Sequence, residues 1–200
     1  IGKHFPGHGS VAPDSHIALP VDERCFEEIK HTDMVVFEQL IKSELLDGIM
    51  PAHVIYNQVC QEPAGFSARW LQQILKGDLG FTGAVFSDDL SMHGASVAGG
   101  YVERASAALD AGCDMVLACN NIKGAEQILD GLEQAGMLEE TIVMIASDHG
   151  GSGSSHGGDS MSELQTPWII DGPGVEKEVH LTEPVYIYDT ASTIATEPGL

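Results

Sequence analysis

Positive charge is scarce in this chain. Its 200 residues include 9 Lys and Arg against 30 Asp and Glu, a formal net charge of -21. A surface of that sign repels phosphate backbones, so nucleic acid is disfavoured as a partner. Cysteine is sparse as well. Cys25, Cys60, Cys113 and Cys119 form no C-x-x-C pair, so neither a zinc knuckle nor a disulfide framework is expected, and the four read as reduced thiols of a cytosolic protein. Long apolar runs are missing: "MVLAC" and "TIVMIA" are too short to cross a bilayer, and no basic stretch followed by an apolar one marks a secretory signal. An initiator Met is missing too. The chain opens "IGKHFPGHGSVAPDSH", which is loop and site chemistry, so it is expected to begin partway through a domain.

What is present is a globular composition, 43% apolar and 20% charged, on a chain long enough to bury a core. The first two thirds alternate strand and helix. "RCFEEIKHTDMVVFEQLIKSELL" places Phe26, Ile29, Met34, Phe37, Leu40 and Ile41 at roughly helical spacing, with Thr32-Asp33 as a cap or break. "DGIMPAHVIY" reads as one short buried strand. "SARWLQQILKGDLG" reads as a helix with Ser67 as its N-cap and a stop at Gly77/Gly80. "TGAVFSDDL" is a strand ending in two carboxylates, "YVERASAALDAG" a helix and "CDMVLACNN" a strand. This rhythm implies parallel β-α units. His53, Asn57, Asp88, Asp89, Asn120 and Asn121 directly follow strands, at the edge where parallel α/β folds bind ligands. From about Lys123 the texture changes: a helix "GAEQILDGLEQAGMLEE", a β-rich "TIVMIA", a Gly/Ser-rich "SDHGGSGSSHGGDS", a strand in "TPWIIDGPGV" and a strand-then-helix start in "VYIYDTASTIA". A seam is expected between residues 122 and 136.

Two constellations carry chemistry. The first joins Lys3, His4, Asp14, His16 and Asp88. Retaining glycoside cleavage needs a nucleophilic carboxylate and a second group that donates and then accepts a proton. Asp88, at a strand's C-terminal end, can be aimed at a sugar carbon. Asp14 and His16 are two apart on a Gly/Pro-rich loop, and a carboxylate beside an imidazole supports its protonated form. Lys3 and His4 end a strand and could donate hydrogen bonds to sugar hydroxyls. The competing reading makes D-S-H a solvated turn and Asp89 a helix cap. His8 reads as a turn residue bracing the loop. His53 is either a residue approaching substrate or a hydrogen-bonded structural imidazole. His31 and His180 read as solvated.

"KHFPGHGSVAPDSH", "DGIMPAHVIY", "GFTGAVFSDDLSM" and "AGCDMVLACNN", in that order, resemble bacterial β-N-acetylhexosaminidases of glycoside hydrolase family 3. The similarity covers about residues 1 to 125. It implies Asp88 as the nucleophile that forms a covalent glycosyl-enzyme, His16 as general acid/base paired with Asp14 on a mobile loop, and Lys3 and His4 as ligands of the N-acetylglucosamine unit. It further implies a (β/α)8 barrel, a substrate of β-linked N-acetylglucosamine from cell-wall muropeptides, a cytoplasmic location and no cofactor. His93 stands where that family usually has Glu. The region supplies about four of the eight barrel strands, and the family's front half, with further sugar-binding residues, is not in it.

The second constellation is Asp148, His149 and His156. Carboxylate and imidazole ligands suit Zn²⁺ or a similar ion, although adjacent Asp and His are as readily a cap or turn. "TIVMIASDHGG", "HGGDSMSELQTPWIIDGPGV" and "YDTASTIA" resemble the C-terminal part of alkaline-phosphatase-superfamily phosphodiesterases, over residues 130 to 200. That resemblance implies Asp148 and His149 on one divalent metal, Zn or Mn, and His156 on another. The family's nucleophile and remaining ligands have no counterpart upstream.

The expected fold is therefore α/β: a partial (β/α)8 TIM barrel of about four β-α units over residues 1–125, followed by an alkaline-phosphatase-like α/β fragment over 126–200. "TIVMIA" could extend one continuous parallel sheet in place of a missing barrel strand. The expected function is a retaining β-N-acetylhexosaminidase acting on a small carbohydrate, with neither nucleic acid nor membrane as partner. The alternatives are a metal-dependent phosphodiesterase and a non-catalytic chimera.

Overall fold

The computed structural model describes residues 1–11, 15, 17–147, 160–186, 190 and 193, with the backbone alone described at 162 and 163. The chain divides into two compact units, residues 1–130 and 131–199.

The first unit is built on a four-stranded parallel sheet of order β1-β3-β5-β6, with β1 at Gly2–Phe5, β3 at Gly48–Pro51, β5 at Ala84–Asp89 and β6 at Met115–Leu117. β2 (Val21–Asp22) and β4 (Ile55–Tyr56) form a separate parallel pair. Each connection along the sheet is helical: α1 (Phe26–His31) and α2 (Met34–Lys42) follow β1, a π-helix over Arg69–Asp78 follows β3, and α3 (Tyr101–Ala111) follows β5. A parallel sheet flanked by crossover helices buries its central strands most deeply. β5 shows this most fully, with Ala84, Val85, Phe86, Ser87 and Asp88 all buried.

The core gathers on the helical side of the sheet. Trp70 is fully buried, with its ring centroid 5.1 Å from Tyr56 and 6.0 Å from both Phe5 and Phe26, while Phe5 meets Phe37 edge-on at 5.3 Å. The π-helix presents Trp70, Leu71, Ile74 and Leu75 as one buried stripe. Its wide winding continues into the exit turn, where the Leu79 N–H donates to the Ile74 carbonyl five residues back.

Several local expectations are corrected. The apolar run "DGIMPAHVIY" is two strands in two sheets. The ladder to β1 ends with the Ala52 N–H on the Phe5 carbonyl at 2.8 Å, Pro51 has no N–H to offer a neighbouring strand, and the chain re-pairs at Ile55 with β2. Ser67 is not a side-chain N-cap: the helix starts without one, and the Ser67 hydroxyl lies 3.1 Å from the Cys60 Sγ. The Thr32-Asp33 pair, in contrast, is a break between α1 and α2 as expected, where the Thr32 hydroxyl donates back to the Glu28 carbonyl at 2.7 Å and Asp33 is drawn to Arg24.

The helix α4 (Ile122–Gln134) begins on Asn121, whose side-chain oxygen accepts the Gly124 N–H at 2.9 Å. In the second unit, β7 (Val143–Ala146) pairs antiparallel with β8 (Trp168–Asp171), and Val143 stands opposite Asp171. "TIVMIA" therefore does not extend the parallel sheet: β7 and β8 make a two-stranded sheet of their own. A short helix α5 (Met161–Leu164) precedes β8. The readings of "SDHGGSGSSHGGDS" and of most of "VYIYDTASTIA" fall outside the described residues.

Candidate active site

Two strands lose regular register where the candidate residues sit. Between the pairs Lys3–Met50 and Phe5–Pro51, β1 holds one extra residue, His4. Between Phe86–Met115 and Asp89–Leu117, β5 holds one more residue than β6, at Ser87-Asp88. Such bulges re-aim a side chain that a regular strand would commit to one face. The Ser87 hydroxyl bridges the β5 irregularity by accepting the Leu117 N–H at 2.9 Å.

These two interruptions bring His4 and Asp88 together at the C-terminal edge of the sheet. The His4 Nε2 lies 3.8 Å from the Asp88 Oδ2, with the His4 side chain about one-third exposed and that of Asp88 one-tenth. That distance is too long for a hydrogen bond but close enough for electrostatic attraction whenever the imidazole carries a proton on both nitrogens. The other carboxylate oxygen, Oδ1, accepts the Asp89 N–H at 2.8 Å. Asp88 thus offers one oxygen fixed by the backbone and one facing His4. Lys3, next in β1, is exposed.

Asp89 faces another way. Its Oδ1 accepts the N–H groups of Ser91 at 2.8 Å and Cys119 at 3.0 Å, and its Oδ2 accepts the Ser91 hydroxyl at 2.6 Å. It therefore clamps the loop after β5 to the segment after β6 and is not the helix cap of its alternative reading, since the next helical turn has Met92 at its N-cap without a side-chain bond. Arg104 fastens the same loop, donating to the carbonyls of Leu90 at 2.7 Å and Gly99 at 2.8 Å. His93, on this loop, is exposed.

The loop after β1 is anchored at both ends. The Tyr56 hydroxyl donates to the Gly7 carbonyl. The His8 Nε2 lies 3.2 Å from the Ser15 hydroxyl, and the His8 ring meets the His4 ring edge-on at 5.8 Å; His8 is a brace, as its turn setting suggests. Ser15 is buried, and its carbonyl accepts the Gly94 N–H at 2.9 Å. Asp14 and His16 lie outside the described residues, as do Asp148, His149 and His156.

His53, in the segment between β3 and β4, is fully buried. Its Nε2 lies 3.2 Å from the Asp89 carbonyl oxygen. Burial holds its imidazole below the ordinary histidine value, against an opposing pull from the Asp88 carboxylate. Beneath the loop, Asp22 is 4% exposed and bound by the Arg24 guanidinium at 2.7 Å, and Arg24 also reaches Asp33. Burial alone would raise the Asp22 carboxyl; the hydrogen bonds from Arg24 outweigh it and hold the carboxyl below its usual range. Cys25, Cys60 and Cys113 are free thiols, and burial pushes that of Cys113 up to about 12.

Sequence reasoning missed the Asp89–Cys119 clamp, the Arg104 fastening and the Asp22–Arg24–Asp33 cluster. The first joins residues 30 apart and has no local signature. The last had one, the close D-x-R spacing at 22 and 24.

A parallel β-α array that presents a buried carboxylate at its C-terminal strand edge defines an α/β protein of the class that places its ligand sites at that edge. The model of the glycosyl hydrolase family 3 N-terminal domain matches residues 1–149, and the chain belongs to that family. The match continues past residue 125, where the motif resemblance ends, and takes in Asp148 and His149. Among curated relatives, the β-hexosaminidase of Tolumonas auensis is 64% identical over 132 residues, 66% of this chain and 40% of the relative. That of Methylobacillus flagellatus is 54% identical over 151 residues, 76% of this chain and 43% of the relative. Among solved structures, NagZ from Neisseria gonorrhoeae in complex with N-trifluoroacetyl-D-glucosamine aligns with a TM-score of 0.59 and 48% identity, covering 65% of this chain and 36% of that one. The chain thus spans about 40% of the length of the curated relatives it matches. Nothing in these matches shows an alkaline-phosphatase-like part in residues 130–200, and the glycosyl hydrolase family 3 match takes in the first of those residues, to 149. Among the described residues no helix is long and apolar enough to cross a membrane.

Proposed function

We propose that the chain is part of a retaining β-N-acetylhexosaminidase and carries its nucleophile, Asp88. Residues 1–125 are read as four β-α units of a (β/α)8 barrel. The observation that supports the reading is the setting of Asp88: a buried carboxylate at a bulged strand end, held through one oxygen by the Asp89 N–H, with His4 3.8 Å from the other. A nucleophile must be held rigidly and keep one lone pair directed at the sugar.

In the proposed reaction, the Asp88 carboxylate attacks the anomeric carbon of a β-linked N-acetylglucosamine unit as the glycosidic C–O bond breaks. The leaving oxygen takes a proton from the His16 imidazolium, which Asp14 supports. His16, now neutral, removes a proton from the incoming water, and the hydroxide carbon–oxygen bond forms as the Asp88 ester bond breaks, with net retention. Lys3 and His4 bind sugar hydroxyls. The substrate class is a small N-acetylglucosamine-containing carbohydrate of the muropeptide type, met in the cytoplasm, and the reaction needs no cofactor. No observation favours the metal-dependent phosphodiesterase reading of Asp148, His149 and His156, or a chimeric origin of residues 126–200.

The test is hydrolysis of a chromogenic β-N-acetylglucosaminide. Asp88→Ala is expected to lower kcat on the order of 10⁴-fold, as removal of a nucleophile does. A wild-type rate no higher than that of the variant would remove the reading.

A further inference from the structure

The imidazole of His53 is fully buried and meets the polar edge of the sheet at the Asp89 carbonyl oxygen, 3.2 Å from Nε2. A carbonyl only accepts, so Nε2 must carry the hydrogen. In the neutral ring Nδ1 is then a bare lone pair, and among the described residues it has no hydrogen-bond partner. Protonating it would place a charge and an unsatisfied N–H in the core, the costliest combination open to a buried ring. The ring is further fixed by Phe66, whose centroid lies 5.2 Å away, and by Gly94, where a Cβ would come within 3.0 Å of the His53 Cβ.

Asp89 is the residue whose N–H holds the Asp88 carboxylate. Its own carboxylate is tied to Ser91 and Cys119. His53 holds the peptide unit on its other side. With both ends of residue 89 fixed, its N–H cannot swing away from the Asp88 Oδ1. We propose that His53 is a positioning residue for Asp88: an uncharged donor that locks the Asp89 carbonyl and so fixes the aim of the neighbouring carboxylate. A cation at this place would draw on the charge that makes Asp88 a nucleophile; a neutral imidazole orients without doing so. The role in catalysis rests on the reading of Asp88 as nucleophile, whereas the hydrogen bond does not.

The experiment uses the whole chain and two variants. His53→Gln keeps an N–H donor near the Nε2 position, and His53→Leu keeps bulk without a donor. In the ¹⁵N spectrum of the imidazoles at neutral pH, His53 is expected as the neutral Nε2–H tautomer. Amide exchange at Asp89 should be about 10-fold faster in His53→Leu and within about twofold of wild type in His53→Gln. An Nδ1–H or doubly protonated ring at neutral pH, or unchanged exchange in His53→Leu, overturns the proposal. If His53→Leu does not unfold cooperatively, the wild-type tautomer and the His53→Gln exchange decide it, since fast exchange in His53→Gln also overturns it. In hydrolysis, His53→Leu should lower kcat about 10²-fold with KM nearly constant, and His53→Gln should restore most of the rate, as expected for lost aim rather than lost binding. Hydrolysis by wild type no faster than by Asp88→Ala would sink the glycosidase reading while the exchange data still judged His53. Equal kcat in wild type and His53→Leu would sink the positioning role while the glycosidase reading stood.

Discussion

Residues 1–130 and 131–199 solve the burial problem differently. In the first unit the strands are parallel, and side chains such as Phe5, Ile49, Val54 and Val85 have no exposed surface. In the second, β7 and β8 form an antiparallel ribbon with no buried residue: β8 alternates between half-buried and exposed, and β7 passes from half-buried at Val143 and Met144 to exposed at Ile145 and Ala146. Ile145 is 54% exposed and Ile169 55%. A parallel sheet needs cover on both faces before it is stable, and the β-α connections supply it. A two-stranded ribbon has no second layer of its own and is marginal in water. The candidate site lies in the first unit because a nucleophile needs a scaffold that does not yield.

Removing one tryptophan from each unit breaks this comparison most directly. Trp70→Ala deletes the centre of a cluster with Phe5, Phe26 and Tyr56. It should cost about 3–5 kcal/mol, the usual range for a large aromatic lost from a core. Trp168 is half-buried on β8, with its indole N–H donating to the Thr190 hydroxyl at 3.2 Å. Trp168→Ala should cost about 1 kcal/mol, the worth of a hydrogen bond and partial burial. Hydrogen exchange resolved by segment reads the two units separately. Equal losses would show that the second unit has a core as firm as the first.

A smaller contrast comes from charge. Arg24 binds the buried Asp22 and also reaches Asp33. Arg24→Met strands the Asp22 carboxylate and should cost about 3 kcal/mol at neutral pH. Asp22 has its folded-state value lowered, so its stabilisation is fully present above the unfolded-state value of 3.8 and is lost as pH falls through the lower folded-state value. Arg24→Met should remove that acid-side loss, measured as a flatter stability profile below pH 4. In the second unit, Lys177 and Asp171 stand 3.7 Å apart with side chains 77% and 69% exposed. Lys177→Met should change nothing measurable, because solvent screens such pairs.

How much of this was legible follows from where each signal is stored. β5 and Asp88 stand out in "TGAVFSDDL" because a buried strand is a continuous apolar run with a polar end, a local property. α3 and α4 stand out by periodicity in the same way. The split of "DGIMPAHVIY" was not legible: Ala52, His53 and Val54 are all buried, so hydropathy does not fall where the strand leaves its sheet. Strand direction was not legible in "TIVMIA" either, since an apolar run pairs equally well both ways and only its partner decides. The register shifts that turn His4 and Asp88 toward each other depend on β3 and β6, sequences 46 and 27 residues away from the residues they re-aim. A motif can name those two residues, but only the paired strands say how they meet.

The smallest contrast concerns glycine. Gly7, in the loop after β1, has φ +152°, and a Cβ there would lie 2.3 Å from the Asp33 Cβ. Asp33 cannot retreat easily, because its carboxylate is held by Arg24. Gly7→Ala therefore adds backbone strain to a steric clash and should cost about 2 kcal/mol or more. It should also displace the Gly7 carbonyl from the Tyr56 hydroxyl, loosening the loop that leads to Ser15. Gly136, at the end of α4, has φ +71° with nothing within 4 Å of its would-be Cβ. Gly136→Ala carries the backbone strain alone, about 1 kcal/mol. The difference between the two variants isolates the packing against Asp33, and adding Asp33→Gly to Gly7→Ala should recover it. Recovery in that double variant, read as restored hydrogen-exchange protection of the Gly7 loop, would show that the ion cluster sets the loop's position; no recovery would place the strain in the backbone alone.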